Sequence, residues 1–320
     1  MRIIFVPQYP AKMRYQNWWF KQFPIEFEKR GHEVVTLGKI DWVSKIMGRD
    51  ETTGKSLFSP VFSSVDFELL QVNEYMSMDI QDDDVLFLAD LSFPGFFTNI
   101  LYHKRPKNCF AFCHATSLNH LDYFEKVRHS KFQCETAHAG MFNKVFLGSY
   151  YHKEKLKDWK NTEVTYLPYP PFLCDVLYIT NNKNRKYRFC SASRQTPQKV
   201  DDFVEKAIEG TFNEKINRMS HVSWDSYYRF LSDSKILLIS ASEETFGYQV
   251  VDAIINGCIP VAPNKLSYPE LLPKEYLYDD YESLVTIIKN ILTDRLGVPK
   301  LKCHLEMTKF YDNICQHMVV

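Results

Sequence analysis

Glycine is scarce in this sequence, at 11 of 320 residues against an average usage of about 7%. No two glycines stand closer than six positions apart. Dinucleotide fingerprints, P-loops and nucleophile elbows need glycines about two to five positions apart, so none of these motifs is present. Any phosphate site in this chain must therefore use side-chain cations and a helix end in place of a glycine-rich loop.

Several other features are also absent. The eight cysteines never form a C-x-x-C pair, which excludes zinc ribbons and thioredoxin-type redox motifs. Lys+Arg and Asp+Glu are equal at 39 each, so composition does not indicate a nucleic-acid partner. No apolar run approaches the roughly 18 residues of a membrane span, and the first apolar run is too short for a signal peptide. These observations predict a cytoplasmic protein with reduced thiols and no membrane span.

Short apolar runs alternate with helical patterns along the chain. A strand at 2–6, a helix at about 17–30 that Pro24 either kinks or delays, and a strand at 33–37 predict a parallel β-α-β unit. Further helices are predicted at about 94–102, 151–159, 246–255 and from about 301. Three prolines between 166 and 171 predict a stiff connector, after which the pattern restarts. We therefore predict an α/β fold in which two doubly wound, Rossmann-like domains, at 1–168 and 172–302, face each other across a cleft. A C-terminal helix within 303–320 is predicted to pack back on the first domain.

The most informative stretch is 240–273. The helix predicted at 246–255 would place Glu244 just before its start and Asp252 two turns in, and Gly257 and Pro260 would allow a tight return to a strand. This pattern resembles the retaining enzymes of glycosyltransferase family 4, which are nucleotide-sugar glycosyltransferases of the two-domain GT-B fold. Their signature is Glu, seven residues, Glu, then Ala and a Gly-x-Pro-Val return. Asp252 replaces the second Glu, and the return carries one extra residue.

The resemblance implies roles for these residues. Glu244 would orient the donor sugar, Asp252 would hold the ribose, and the turn at Phe246 and Gly247 would bind the diphosphate at the helix N-terminus. The alternative is that these residues have no binding role: Glu244 would then be an acidic residue near the start of a helix, and Asp252 a solvated acid on the same helix.

Two more segments match the same family. Arg194 and Lys199 have the spacing of the cations that hold the donor diphosphate, and such cations suit metal-free departure of that group. His114 follows an apolar strand and corresponds to a histidine near the donor sugar. Surface cations and a structural histidine are the alternatives. Asp82-Asp83-Asp84 precedes a strand and predicts a solvated turn, and Glu135-x-x-His138 occurs once, so we predict no metal site.

The acceptor is less constrained by the sequence. The first β-α turn lacks the paired glycines of many family members, so Lys12, Arg14, Tyr15 and Trp18 are candidate acceptor ligands, with a solvated loop and core aromatics as the alternative. The sequence from 257 to 278 resembles that of enzymes that mannosylate the queuosine base of tRNA. Because phage enzymes that glycosylate hydroxymethylated DNA bases also exist, a DNA base is a second candidate acceptor. Basic clusters at 103–107, 153–160 and 183–188 are either solvated faces or a backbone-binding surface.

The resemblance therefore implies a hexosyltransferase that uses a UDP- or GDP-hexose as substrate, needs no cofactor and retains configuration. The implied acceptor is a base in DNA or tRNA. The implied location is the cytoplasm, which for a phage-encoded enzyme is the cytoplasm of the host. The alternative acceptors are a glycan, a lipid or a small metabolite. A non-catalytic protein that binds a sugar nucleotide or a nucleic acid is the alternative class, because Asp252 and the missing glycines depart from the family pattern.

Overall fold

The structure is a computed structural model of the 320-residue chain. It describes residues 1–10, 15–38, 60–91, 105–121, 124–169, 185–194, 196–219, 223–303 and 305–318. The predicted helix at 94–102 lies outside these ranges, as do the candidate acceptor residues Lys12 and Arg14.

The first half of the chain forms a parallel sheet covered by helices on both faces. Its strands, in the order β2-β1-β3-β4-β5-β6, are β1 Arg2–Val6, β2 Glu33–Thr36, β3 Val85–Leu88, β4 Asn108–Cys113, β5 Lys144–Leu147 and β6 Thr162–Val164. The helices are α1 Tyr15–Lys29, α2 Pro60–Met76, α3 Arg128–Ala139 and α4 Tyr150–Lys155, with a 3₁₀ turn at Glu125–Val127. In register, Ile3 of β1 lies opposite both Val34 of β2 and Val85 of β3.

Alternation along the strands divides this half between two apolar cores. On β4, Phe110 and Phe112 belong to the core that includes Trp19 of α1, whereas Cys109 and Ala111 belong to the core on the opposite face. Successive side chains of a strand point to opposite faces of the sheet, and a central strand buried on both faces is therefore apolar throughout.

The second half forms a second parallel sheet. Its strands, in the order β11-β10-β9-β7-β8, are β7 Tyr187–Ser191, β8 Asn217–Arg218, β9 Ser234–Leu238, β10 Ile259–Pro263 and β11 Leu277–Tyr278. The helices are α5 Asp202–Phe212, α6 Trp224–Ser232, α7 Tyr248–Ile255, α8 Tyr268–Leu271 and α9 Tyr281–Leu292, with a 3₁₀ turn at Lys274–Tyr276. The predicted α/β class with two parallel sheets is confirmed.

The last helix, α10 at Met307–Met318, packs on the first sheet's side of the molecule. The ring of Phe310 lies 5.4 Å from that of Trp19 and 5.8 Å from that of Phe112, and Arg30, directly after α1, pairs with Asp312 at 2.8 Å. The chain thus returns from the second sheet to cover α1.

Several predicted boundaries differ from the structure, and the helix predicted at 151–159 is the shorter α4, Tyr150–Lys155. Helix α1 runs without interruption through Pro24, because the burial of Phe23 and Phe27 compensates for the hydrogen bond that proline cannot donate. The tail helix begins at Met307 instead of about 301, and α7 begins at Tyr248 instead of 246. Within the described ranges, no helix combines the length and the hydropathy that crossing a membrane requires.

Candidate functional site

A cavity of about 380 Å³ opens between the two sheets and brings most of the predicted site residues together. From the first half it is lined by Tyr15, Gln16, Trp19, His114 and Leu167. From the second half it is lined by Ala192, Ser193, Arg194, Lys199, Trp224, Tyr227, Glu244, Thr245, Phe246, Gly247, Tyr248, Gln249 and Asp252. Among the described candidates, Trp18 does not line it, since its ring packs against that of Trp19 at 4.7 Å beside the core.

The turn into α7 depends on a glycine. Gly247 caps the helix with φ of 97°, a left-handed conformation that favours glycine, and a Cβ there would lie 3.2 Å from the ring of Tyr268. Helix α7 therefore starts at Tyr248, two residues later than predicted, and Asp252 lies about one turn into it. The prediction that Asp252 lies two turns in was wrong. The first N–H groups of a helix have no intrahelical partner, and no side chain of the described residues caps them here.

Glu244 and Lys199 form an ion pair beside this turn. The Lys199 ammonium lies 3.0 Å from the Glu244 carboxylate and donates to the backbone carbonyl of Glu243 at 2.7 Å. Burial opposes ionisation of Glu244, but Lys199 and the N–H groups of Thr245 and Phe246 outweigh it and lower its pKa. Glu244 is therefore a carboxylate at neutral pH and can accept hydrogen bonds from hydroxyl groups.

Arg194 supplies a second cation to the same cavity. Its side chain is exposed, and its guanidinium makes no hydrogen bond or ion pair with any residue that the structure describes. An arginine with five free donors is well suited to a phosphate group. Arg194 and Lys199 thus line the same cavity; Lys199 is engaged by Glu244, whereas Arg194 has no side-chain partner in the part of the chain that the structure describes.

His114 reaches the cavity from the first half, directly after β4. Its ring packs 4.7 Å from that of Phe112 and 5.8 Å from that of Trp19, and its backbone N–H donates to Asp90 at 3.2 Å. Burial lowers the pKa of His114 to about 4, partly offset by a hydrogen bond to the backbone of Ala89. The imidazole is therefore neutral at pH 7 and can exchange hydrogen bonds without carrying charge.

Asp252 differs most from the predicted role, because tyrosines already surround it. Tyr15 and Tyr227 donate to its Oδ2 at 2.9 and 3.0 Å, and Tyr169 donates to Oδ1 at 2.8 Å. The residue is only 2% exposed, and burial raises the pKa of Asp252 to about 6 although hydrogen bonds from these three phenols and from Tyr228 oppose the shift. Two of these donors come from the first half and the connector, so the carboxylate joins the two halves.

Tyr15 also fills an aromatic slot of the second half. Its ring stacks on that of Tyr248 at 4.0 Å with an interplanar angle of 24°, and lies 5.2 Å from that of Trp224. One first-half side chain thus combines a stacked ring with a hydroxyl on Asp252. Spacing along the sequence carries no signal for this arrangement, because Tyr15 and Asp252 are 237 positions apart.

Two arginines of the basic cluster at 183–188 have partners within the second half. Arg185, from the basic cluster at 183–188, donates to the backbone carbonyls of Ser232 and Ser234 at 2.7 and 2.8 Å, and Arg188 pairs with Glu214 at 2.7 Å. This part of the cluster is therefore committed within the second half.

The candidate metal ligands are committed in the same way. The carboxylate of Asp84 is bound by Arg2 and buried, so the prediction of a fully solvated turn was wrong for this residue. Glu135 is buried and accepts from Ser117 and Lys131. Among the described residues, no three His, Cys, Asp or Glu side chains are grouped as a metal site requires.

Comparison with solved structures shows the same two-sheet arrangement. Sucrose-phosphate synthase from Thermosynechococcus elongatus aligns with a TM-score of 0.60 at 12% identity, over 92% of this chain and 90% of that chain. HepE of Anabaena, solved with UDP and glucose, aligns at 0.58 and 12% over the same shares. A trehalose-6-phosphate synthase from Burkholderia multivorans aligns at 0.59 and 8%, over 99% and 97%. The chain therefore has the GT-B fold, as the sequence resemblance implied.

One sequence relative agrees with this fold. The tRNA-queuosine α-mannosyltransferase of Drosophila melanogaster is 31% identical over 124 residues, or 38% of this chain and 32% of that protein. The matched part thus spans about a third of the relative. No family model matches the chain.

Proposed function

We propose that this chain transfers a hexose from a nucleoside diphosphate sugar to an acceptor hydroxyl, with retention of configuration and without a metal ion. The observation that carries the proposal is the guanidinium of Arg194, which has no partner among the described residues, in the same cavity as the Lys199–Glu244 ion pair at the turn into α7. The GT-B fold supports it, because such folds place a donor site in the cleft between two domains.

The donor diphosphate would lie between Arg194, Lys199 and the first N–H groups of α7. Negative charge grows on the diphosphate as its bond to the sugar breaks, and fixed cations stabilise that charge. Glu244, an ionised carboxylate, would accept a hydrogen bond from a sugar hydroxyl. His114 would face the same sugar as a neutral imidazole, because a group with a pKa of about 4 does not take up the second ring proton that makes it a cation at pH 7.

Bond making and proton transfer would occur on one face of the sugar. The acceptor oxygen bonds to the anomeric carbon as the diphosphate leaves, and the acceptor proton passes to an oxygen of the departing phosphate. No enzymic nucleophile is required for this sequence. Asp252 would accept from the donor ribose after Tyr15 has left its Oδ2, because both oxygens are engaged in the present arrangement.

For the acceptor we propose a modified nucleic-acid base, in the cytoplasm. The support is the partial similarity to a protein named as a tRNA-queuosine mannosyltransferase. The formal net charge is zero, without the excess of basic residues that is typical of duplex binders, so recognition of a single base is favoured over recognition of a long backbone. A hydroxymethylated DNA base is the second candidate in this class.

Binding and hydrolysis of UDP- and GDP-sugars by Arg194→Ala test the donor site. Loss of charge-assisted hydrogen bonds worth about 1.5–3 kcal/mol should weaken donor binding roughly 10- to 150-fold. The melting temperature should not change, because Arg194 is exposed and its guanidinium has no partner among the described residues. Arg295→Ala, an exposed arginine after α9, is the matched control and should bind donor normally. Absence of binding and turnover in the unsubstituted protein, or equal behaviour of both variants, contradicts the proposal.

The acceptor is tested by sugar transfer to tRNA and to hydroxymethylated DNA, with unmodified DNA as the control. NMR of the product's anomeric proton reports retention or inversion. Donor binding with neither hydrolysis nor transfer would favour the alternative of a non-catalytic sugar-nucleotide binding protein. Donor hydrolysis without transfer to either nucleic acid would contradict the proposed acceptor and leave the glycan, lipid and small-metabolite alternatives.

A further inference from the structure

The short helix α4 and the residue before it hold the turn that carries Glu244. Ser149, which is 1% exposed, donates its hydroxyl to the backbone carbonyl of Thr245 at 2.5 Å. The same oxygen accepts from the N–H of His152 at 3.1 Å and so caps α4. One first-half side chain thus fixes the start of its own helix and the backbone next to Glu244.

A second contact reaches the other end of this turn. The Lys155 ammonium lies 2.6 Å from the carboxylate of Glu243 and 2.8 Å from the amide oxygen of Asn119. Both ions of the pair are largely buried, with side-chain exposures of 17% and 9%. The backbone carbonyl of the same Glu243 accepts from Lys199. Lys155 is therefore linked to a predicted diphosphate cation through one intervening residue.

The two consecutive acidic residues of this turn pair with lysines from opposite halves of the chain. Glu243 points to Lys155 of the first half, and Glu244 points to Lys199 of the second. The carboxylate of Glu270, in α8, accepts from the N–H groups of Tyr150 and Tyr151 at 2.9 and 2.7 Å. The start of α4 is thus tied to the second half at a site separate from the turn.

We propose that Ser149 and Lys155 are positioning residues for the donor site: they hold the turn 243–245 so that Glu244 and Lys199 stand in reacting geometry only when the two halves are closed. This inference rests on the proposed function. Loss of Lys155 would leave the buried Glu243 carboxylate without its ion partner, and the cost of an unpaired buried charge would displace the turn that also carries Glu244. Small displacements of reacting groups lower kcat steeply.

Steady-state donor turnover by Lys155→Met, Lys155→Arg, Glu243→Gln and the double variant Lys155→Met with Glu243→Gln tests the proposal. We expect Lys155→Met to lower kcat on the order of a hundredfold and to raise the donor KM. Lys155→Arg keeps the charge and should retain most activity. The double variant should recover a large part of the loss, because it removes the unpaired carboxylate. Lys107→Met, which breaks the exposed pair with Asp82, is the control and should keep kcat and KM.

A merely structural role would lower the melting temperature of Lys155→Met without changing kcat or KM per folded molecule, and that result would overturn the proposal. Equal kcat for Lys155→Met and the double variant would overturn the charge argument.

Amide exchange at 243–246 provides a readout that does not need turnover. It should speed up about tenfold or more in Lys155→Met and in Ser149→Ala if these side chains hold the turn. If the unsubstituted protein turns over no sugar nucleotide while exchange responds in this way, the proposed function fails and the mechanical role of α4 stands. Unchanged exchange overturns the positioning role itself.

Discussion

Replacing Tyr15 with phenylalanine is expected to tighten, not weaken, the binding of a nucleoside diphosphate. The hydroxyl of Tyr15 donates to the Oδ2 of Asp252, where the resemblance places a donor ribose, and the ring stacks on Tyr248. Under the proposed function, Tyr15 and a nucleoside would therefore compete for the same carboxylate. Tyr15→Phe removes only the hydroxyl and keeps the stacked ring, so it should raise the fraction of molecules in which Asp252 is open to the ligand.

The size of the effect follows from the contacts that remain. A hydrogen bond to a charged group contributes about 1.5–3 kcal/mol to stability. Asp252 keeps Tyr169 and Tyr227 as donors, so the loss should lie near the lower end of this range. About 1.4 kcal/mol corresponds to tenfold in an equilibrium constant. Because stacking on Tyr248 still opposes opening, we expect the Kd for UDP or GDP to fall by about three- to tenfold.

Isothermal titration of UDP and GDP into the unsubstituted protein, Tyr15→Phe and Tyr227→Phe measures this effect. Tyr227 donates to the same Oδ2 at 3.0 Å but lies on α6, in the same half of the chain as Asp252, and so provides the matched control. Tyr227→Phe should leave affinity unchanged or lower it, because it frees no ligand from the other half. The reasoning is refuted if Tyr15→Phe weakens binding, which would make Tyr15 a ligand of the nucleotide, or if both variants change affinity equally.

Three other substitutions probe the same architecture. Burial raises the pKa of Asp252 from 3.8 to about 6, so the stability that its protonated form contributes is complete below about pH 4 and is lost as the pH rises through about 6. In urea unfolding, the free energy of unfolding of Asp252→Asn should therefore gain up to about 3 kcal/mol relative to the unsubstituted protein between about pH 4 and pH 7. A difference that stays constant over this range would contradict the prediction. Gly247→Ala forces a left-handed alanine towards the ring of Tyr268 and should cost about 1–3 kcal/mol in unfolding free energy, whereas Gly210→Ala, in open space within α5, should not destabilise. Phe310→Ala should cost about 3–5 kcal/mol, and a cost below about 1 kcal/mol would mean that α10 does not cover α1.

The fold was predictable where local pattern and burial agree. The apolar runs that become β1, β4 and β5 are central strands buried on both faces, so their composition alone marks them. The start of α7 was not predictable to the residue, since the apolar pattern from Phe246 continues smoothly across Gly247. The left-handed backbone at this glycine delays the helix and brings Asp252 two residues closer to its start. The uninterrupted helix through Pro24 depends on tertiary burial, which the sequence does not display.

In the candidate site, too, residues close together in sequence could be predicted, whereas contacts between distant residues could not. Arg194 and Lys199 stand five positions apart in one segment, so a family pattern identifies them. The contacts that control the site join residues 237 positions apart, for Tyr15 and Asp252, and 96 apart, for Ser149 and Thr245. In a chain too poor in glycine for a phosphate loop, the turn into α7 has no glycine-rich cradle to hold its shape. Side chains from the other half contact this turn instead, so under the proposed function donor binding would be coupled to closure of the two halves.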